Sequence, residues 1–116
     1  MARTAKSIRV AIHGAAGKVG AEVVRAVTAE KDMQLAAAID ILPKKDVPSL
    51  IDSGLYYSSL DDAISTTKPD VIVDFTNAEV ALPMARNALS KGVNLVIGST
   101  GWGKNQLATL EQLCER

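Results

Sequence analysis

The sequence predicts an α/β fold, a doubly wound parallel sheet between helices in three layers, and three observations carry that prediction. Short β-like runs alternate with helical patterns along the chain, with no internal repeat and no low-complexity segment. Val71-Ile72-Val73-Asp74-Phe75 reads as a continuous apolar run, the mark of a strand covered on both faces. Gly14-x-x-Gly17-x-x-Gly20 stands directly between the apolar run Ile8 to His13 and a helical pattern, so a tight turn joins strand to helix there.

Each element follows in order. Strand one is read over Ile8 to His13. A helix from Gly17 to about Glu30 places Val19, Val23, Ala26 and Val27 on one stripe, with Glu22, Arg25 and Ala29 away from it. Strand two covers Gln34 to Asp40. Ile41 to Ser58, with Pro43, Pro48 and Gly54, is loop with room for a short strand at Leu55 to Tyr57, and it is either a flap near a ligand or a mobile connection. Ser59-Leu60-Asp61-Asp62 is an N-cap with an acidic first turn, opening a helix to about Thr66.

After Lys68-Pro69-Asp70 and the strand at Val71, a helix runs through Ala81, Met84, Ala85, Ala88 and Leu89 to a stop at Gly92. Pro83 leaves two starts open. Either the regular helix begins there, or residues 78 to 82 form a turn that the proline kinks. Asn94 to Ile97 is another strand, and a last helix from about Lys104 turns Leu107, Leu110 and Cys114 inward.

Composition limits the partners. The 116 residues suit one domain, and 47% hydrophobic with 22% charged residues is globular rather than disordered. Thirteen basic and thirteen acidic residues cancel, which leaves no field to gather nucleic acid or an anionic membrane. The single cysteine, Cys114, excludes an internal disulfide and is expected in the core; no Cys/His cluster has metal-ligand spacing. Met1 to Ser7 carries Arg3 and Lys6 with no apolar segment after it, and no stretch reaches the length of a membrane span. A cytoplasmic protein with a small ligand is expected.

The glycines suggest which ligand. A turn without Cβ atoms, followed by the unpaired amides and positive dipole end of a helix, suits a pyrophosphate. On this reading the peptide amides of residues 14 to 20 are bare, capped by no side chain. Asp40, 20 residues after Gly20 and at the end of the second apolar run, is where an acid would accept hydrogen bonds from an adenosine ribose. Parallel α/β sheets bind ligands at the carboxyl ends of their strands, and Gly14 to Gly20, Phe75-Thr76-Asn77 and Gly98 to Gly101 all converge there. A dinucleotide is the expected guest. Tyr56-Tyr57 either stack on the base or pack the loop, and Trp102 either walls the ligand or anchors the last helix. Asp61, Asp62 and Asp70 are expected as cap and turn residues away from the ligand edge. The only histidine, His13, is expected to be a packed or hydrogen-bonded imidazole and not a catalytic acid.

His13-Gly14-Ala15-Ala16-Gly17-Lys18-Val19-Gly20, Val73-Asp74-Phe75-Thr76 and Val96-Ile97-Gly98-Ser99-Thr100-Gly101-Trp102, in this order, resemble the amino-terminal domain of the 4-hydroxy-tetrahydrodipicolinate (dihydrodipicolinate) reductases. The resemblance spans roughly residues 8 to 116. It implies a Rossmann-like fold and an NADH- or NADPH-dependent reductase of lysine and diaminopimelate biosynthesis. Carried over, Gly14, Ala15, Ala16, Gly17, Lys18 and Val19 would hold the pyrophosphate and Asp40 the ribose. Gly98, Ser99 and Thr100 would face the nicotinamide, with Phe75 and Thr76 between.

Lys18 replaces a frequent arginine and Ser99 a threonine, which keeps a cation and a hydroxyl. Ile41 stands where some members carry an arginine for a 2′-phosphate, and Asp40 would repel that phosphate, so NADH is the expected preference, with Lys44 or Lys45 the nearby cations. Members of the family continue into a second domain with a His-His pair and a Lys-containing motif, through which they form homotetramers; that pattern does not occur in these 116 residues. Residues 1–116 are therefore read as a dinucleotide-binding domain without its substrate domain, binding cofactor with negligible turnover, with no catalytic residue and no metal site assigned. The rival readings are a non-catalytic NAD-binding regulatory module, the nucleotide domain of another two-domain dehydrogenase, and a coenzyme A domain.

Overall fold

A computed structural model describes residues 7–42, 47 and 51–115. The described residues form five strands and four α-helices in the order β1 (Ile8–His13), α1 (Lys18–Ala29), β2 (Met33–Ile39), β3 (Tyr56–Tyr57), α2 (Leu60–Thr67), β4 (Val71–Asp74), α3 (Ala78–Ser90), β5 (Asn94–Ile97) and α4 (Lys104–Cys114). The strands form one parallel sheet in the order β3-β2-β1-β4-β5. β1 is central, and its last residue, His13, lies between Ile39 of β2 and Asp74 of β4.

The core has two halves, one on each face of the sheet. α1 lays Val24 and Val27 on Val10, Ile12 and Ala38. On the opposite face, α2 and α3 bring Ala63, Ile64, Ala81, Met84 and Ala88 onto Ala11, Ala37, Ile39 and Ile72. Ile12 and Ile72 are fully buried, each contributing about 1.5–3 kcal/mol of transfer free energy. The doubly wound, three-layer arrangement read from the sequence is the one observed.

Local chemistry sets the element ends. Ser59 accepts a hydrogen bond from the Asp62 amide and opens α2, and Lys68 closes it in a left-handed conformation, φ 48°. Asn77 caps α3 by accepting from the Val80 amide, so the helix starts at Ala78 and Pro83 falls in its second turn. The helix thus neither begins at Pro83 nor breaks there. The proline ring removes the donor that the Glu79 carbonyl would have received, on an exposed face where solvent replaces it. Tyr56 is buried, and its hydroxyl donates to the carbonyls of Asp40, at 2.8 Å, and Leu42, which ties β3 to the end of β2. It packs the loop, as one of the two readings had it.

Two helix faces differ from the expected stripes. Val19 is 57% exposed and Ala26 is exposed, because α1 turns Gly20, Val24 and Val27 to the sheet. The contact of Gly20 decides this. A Cβ there would lie 2.0 Å from the Gly14 carbonyl oxygen and 2.9 Å from Ala15 Cα, so that face of the helix presses directly on backbone. In α4, Leu113 is buried while Cys114 and Leu107 are exposed and Leu110 is half-buried. α4 packs on α3, so only a narrow line of it is covered. The expectation of Cys114 in the core is overturned.

The glycine contacts predict unequal costs. Gly20→Ala is expected to lose on the order of 3 kcal/mol, since backbone must move, whereas Gly17→Ala, whose nearest neighbour would be 3.6 Å away, should lose less than about 1 kcal/mol. Urea unfolding of the two variants checks the difference.

Candidate functional site

The chain leaves β1 toward β2 on one side and β4 toward β5 on the other, so a crevice opens between the carboxyl ends of β1 and β4. Gly14 makes the turn at φ +87°, a conformation that side chains resist, and its amide donates to the Ile39 carbonyl at 2.8 Å. Gly17 then caps α1 in extended backbone with no side-chain bond. The first amides of the helix, at Lys18, Val19 and Gly20, have no intrahelical partner. Lys18 is an exposed cation at the positive end of the helix dipole, an arrangement that an anion between them would relieve.

Asp40 closes this turn from the other side. Its Oδ2 accepts from the Ala16 amide at 2.9 Å and its Oδ1 from the Ile41 amide at 2.7 Å. The turn is therefore not wholly bare: Ala16 is capped by a carboxylate, and the free amides lie further on, from Lys18. A carboxylate has about four acceptor positions, so Asp40 keeps capacity for donors from a ligand.

Gly14, Gly17, Asp40, Phe75 and Thr76 line one cavity of about 250 Å³ with His13. An adjoining cavity of about 350 Å³ shares His13, Asp40, Ile41 and Val80 and reaches Asp61 at the start of α2. Asp61, expected to be distant from the ligand edge, lies on it, because β3 pairs with the end of β2 and Ser58, Ser59 and Leu60 continue from it along the same cavity. Ile41 is 91% exposed and Val80 43%, so an apolar rim flanks the two acids. Thr100 and Gly101 line a neighbouring cavity of about 310 Å³ with Asn77. A larger groove of about 700 Å³ between α3 and α4, at Pro83, Arg86 and Gln106, adjoins the second cavity at Pro83 and Asn87 and the third at Ala78 and Glu79, and holds none of the expected site residues.

The remaining expected residues are placed as follows. Ala15 is fully buried under α1 and offers the site only its backbone; Val19 and Lys18 stand exposed beside the turn. Gly98 donates its amide to the Asp74 carbonyl at 2.8 Å, and a Cβ on it would meet the Phe75 ring at 2.6 Å, so the two loops fit face to face. Ser99 accepts from Trp102 Nε1 at 3.1 Å, while Trp102 packs on the core under α3. Lys44 and Lys45 lie outside the described residues.

One group was missed. Asp74, fully buried at the end of β4, accepts from His13 Nδ1 at 2.9 Å and from Thr76 Oγ1 at 2.7 Å, both at Oδ1. Burial pushes its carboxyl up, but hydrogen bonds from His13 and Thr76, the nearby Ser99 hydroxyl and the charge of His13 outweigh that and hold it below the ordinary aspartate value. Its Oδ2 is the one buried side-chain oxygen or nitrogen without a partner among the described residues. The signal was available: an acid inside an otherwise apolar strand, in a chain with one histidine. His13 is the hydrogen-bonded imidazole expected.

Among the described residues no group of three or more potential metal ligands comes together, and no helix is long and apolar enough to cross a membrane.

Comparison with known proteins agrees with this geometry. Residues 8–116 match the family described as "Dihydrodipicolinate reductase, N-terminus". The chain is 40% identical over 111 residues to a 4-hydroxy-tetrahydrodipicolinate reductase of Dehalococcoides mccartyi, covering 93% of this chain and 42% of the relative. To the enzyme of that name from Methanothermobacter thermautotrophicus it is 37% identical over 119 residues, 94% of this chain and 44% of the relative. The solved structure of a dipicolinate-bound dihydrodipicolinate reductase from Paenisporosarcina sp. TG-14 superposes with a TM-score of 0.82 at 33% identity, over 94% of this chain and 43% of that one. The chain thus spans about two fifths of the length of the relatives it matches. A glycine turn set on bare helix amides, an acid at the tip of β2 and this run of matched sequence lead to one assignment: the chain belongs to the dihydrodipicolinate reductase family, as its amino-terminal nucleotide-binding domain.

Proposed function

We propose that this domain binds NADH in preference to NADPH and supplies the dinucleotide half of a reductase that transfers hydride to a heterocyclic dicarboxylate in lysine and diaminopimelate biosynthesis. The observation that carries the proposal is the position of Asp40, whose carboxylate caps the glycine turn and at the same time lines the cavity between the ends of β1, β2 and β4. The pyrophosphate would sit on the amides from Lys18, with Gly14, Ala15, Ala16, Gly17 and Val19 shaping its bed. Asp40 would take the ribose hydroxyls, and Phe75, Thr76, Gly98, Ser99 and Thr100 would follow the dinucleotide toward its nicotinamide end. Bound there, the nicotinamide supplies the hydride; the protein's residues position it and exclude water.

Asp40 and Ile41 support the preference for NADH. A 2′-phosphate about 4 Å from the Asp40 carboxylate would meet repulsion of about 1–4 kcal/mol per pair of charges between bulk and near-surface dielectric, and Ile41 offers no cation against it. The acid for the reaction and the dicarboxylate site are proposed to lie outside these residues, since the one histidine is taken up by Asp74. The reductase is proposed to work in the cytoplasm as a homo-oligomer.

Calorimetric titration should show NADH binding about tenfold or more tighter than NADPH. Equal affinity, or no heat with either, contradicts the reading. Asp40→Asn keeps an oxygen for the Ala16 amide and removes the charge, so it should narrow the NADH to NADPH ratio several-fold with a cooperative unfolding transition retained; an unchanged ratio separates a purely structural Asp40 from a ribose ligand. The 116 residues mixed with NADH and the heterocyclic substrate are expected to leave absorbance at 340 nm constant, and a steady fall would show that the acid chemistry lies within them.

A further inference from the structure

Asp74 is a costly residue for its position. A buried acid paired with histidine gives little net stability over an apolar pair of the same shape, and a dinucleotide turn needs only the ribose acid, Asp40. Asp74 nevertheless joins three loops of the ligand edge. It holds His13 at the end of β1 and Thr76 in the loop after β4, and its carboxyl feels the Ser99 hydroxyl of the loop after β5, which Trp102 holds in turn.

We propose that Asp74 is a positioning residue that sets the cofactor selectivity of the site by fixing the tautomer of His13. This rests on reading the cavity as a dinucleotide site. An ionised carboxylate accepts and cannot donate, so the hydrogen of a neutral imidazole must be on Nδ1, facing Asp74. Nε2 is then an acceptor, on a ring that lines the same two cavities as Asp40. Asp40 and His13 together present acceptors to the adenosine end of the ligand. Hydroxyl and amino groups match them, and a phosphate, itself an acceptor, does not. Without Asp74 the ring is released to the Nε2–H tautomer favoured by a free histidine side chain, and the same position becomes a donor that a phosphate accepts.

His13 is the only histidine, so its ring nitrogens give a single set of signals in a long-range 15N–1H spectrum. At pH 8 the wild-type protein is expected to show the Nδ1–H tautomer. Asp74→Ala should shift it to Nε2–H, weaken NADH roughly tenfold, the size of one lost hydrogen bond, and lower the NADH to NADPH ratio. Asp74→Asn, whose amide oxygen still accepts, should keep the tautomer and stay within about threefold of wild type. A wild-type Nε2–H tautomer overturns the proposal, and so does Asp74→Ala with shifted tautomer but unchanged selectivity. Should Asp74→Ala not fold, His13→Phe keeps a ring and removes both nitrogens; it must lower the NADH to NADPH ratio, and wild-type selectivity there is equally fatal. No binding of either dinucleotide by the wild type defeats the dinucleotide reading itself, whereas binding with selectivity indifferent to Asp74 and His13 defeats this proposal alone.

Discussion

The contact between Gly20 and the Gly14 carbonyl is the constraint on which the rest of the structure depends. No other residue allows a helix to come within touching distance of the turn that precedes it, since any Cβ at Gly20 would overlap that oxygen. The contact fixes the height and rotation of α1 over β1. It therefore fixes where the unpaired amides at Lys18, Val19 and Gly20 point, and which side chains α1 buries. The same contact serves the core and the site.

Much of this was legible in the sequence because it is local. The apolar runs gave strands β1, β2, β4 and β5 within a residue or two, Ser59 announced α2, and the glycine spacing with Asp40 located the crevice. Helix rotation was less legible. Periodicity places Val23, Val24 and Val27 near one another on α1 but cannot tell which of them is central, and a backbone contact made decision for Val24. In α4, leucines at 107, 110 and 113 offer alternative lines, and of the three Leu113 is the one buried where α4 packs on α3. Asp40 capping the Ala16 amide, and Asp74 meeting His13 across 61 residues, are long-range bonds that only the sheet order creates.

The two site acids show how environment divides identical side chains between roles. Asp40 is half-buried at a strand tip, bonded to two backbone amides with acceptor capacity to spare. Asp74 is wholly buried, with side-chain donors gathered on one oxygen and the other oxygen bare. Hydrogen bonds that favour its charged form overcome a burial that opposes it. Its folded value lies below that of the unfolded chain, so the stability it contributes is complete above the unfolded aspartate range and disappears as pH falls through the folded value. Near neutrality the carboxylate is charged and can only accept, so it determines which nitrogen of a neutral His13 carries the proton.

That dependence links the sheet to selectivity. The order β2-β1-β4 sets Ile39, His13 and Asp74 side by side at the carboxyl edge. Register therefore places the imidazole between the acid that orients it and the cavity bordered by Asp40. A slip of one residue in β4 would turn Asp74 to the α1 face, since side chains alternate along a strand.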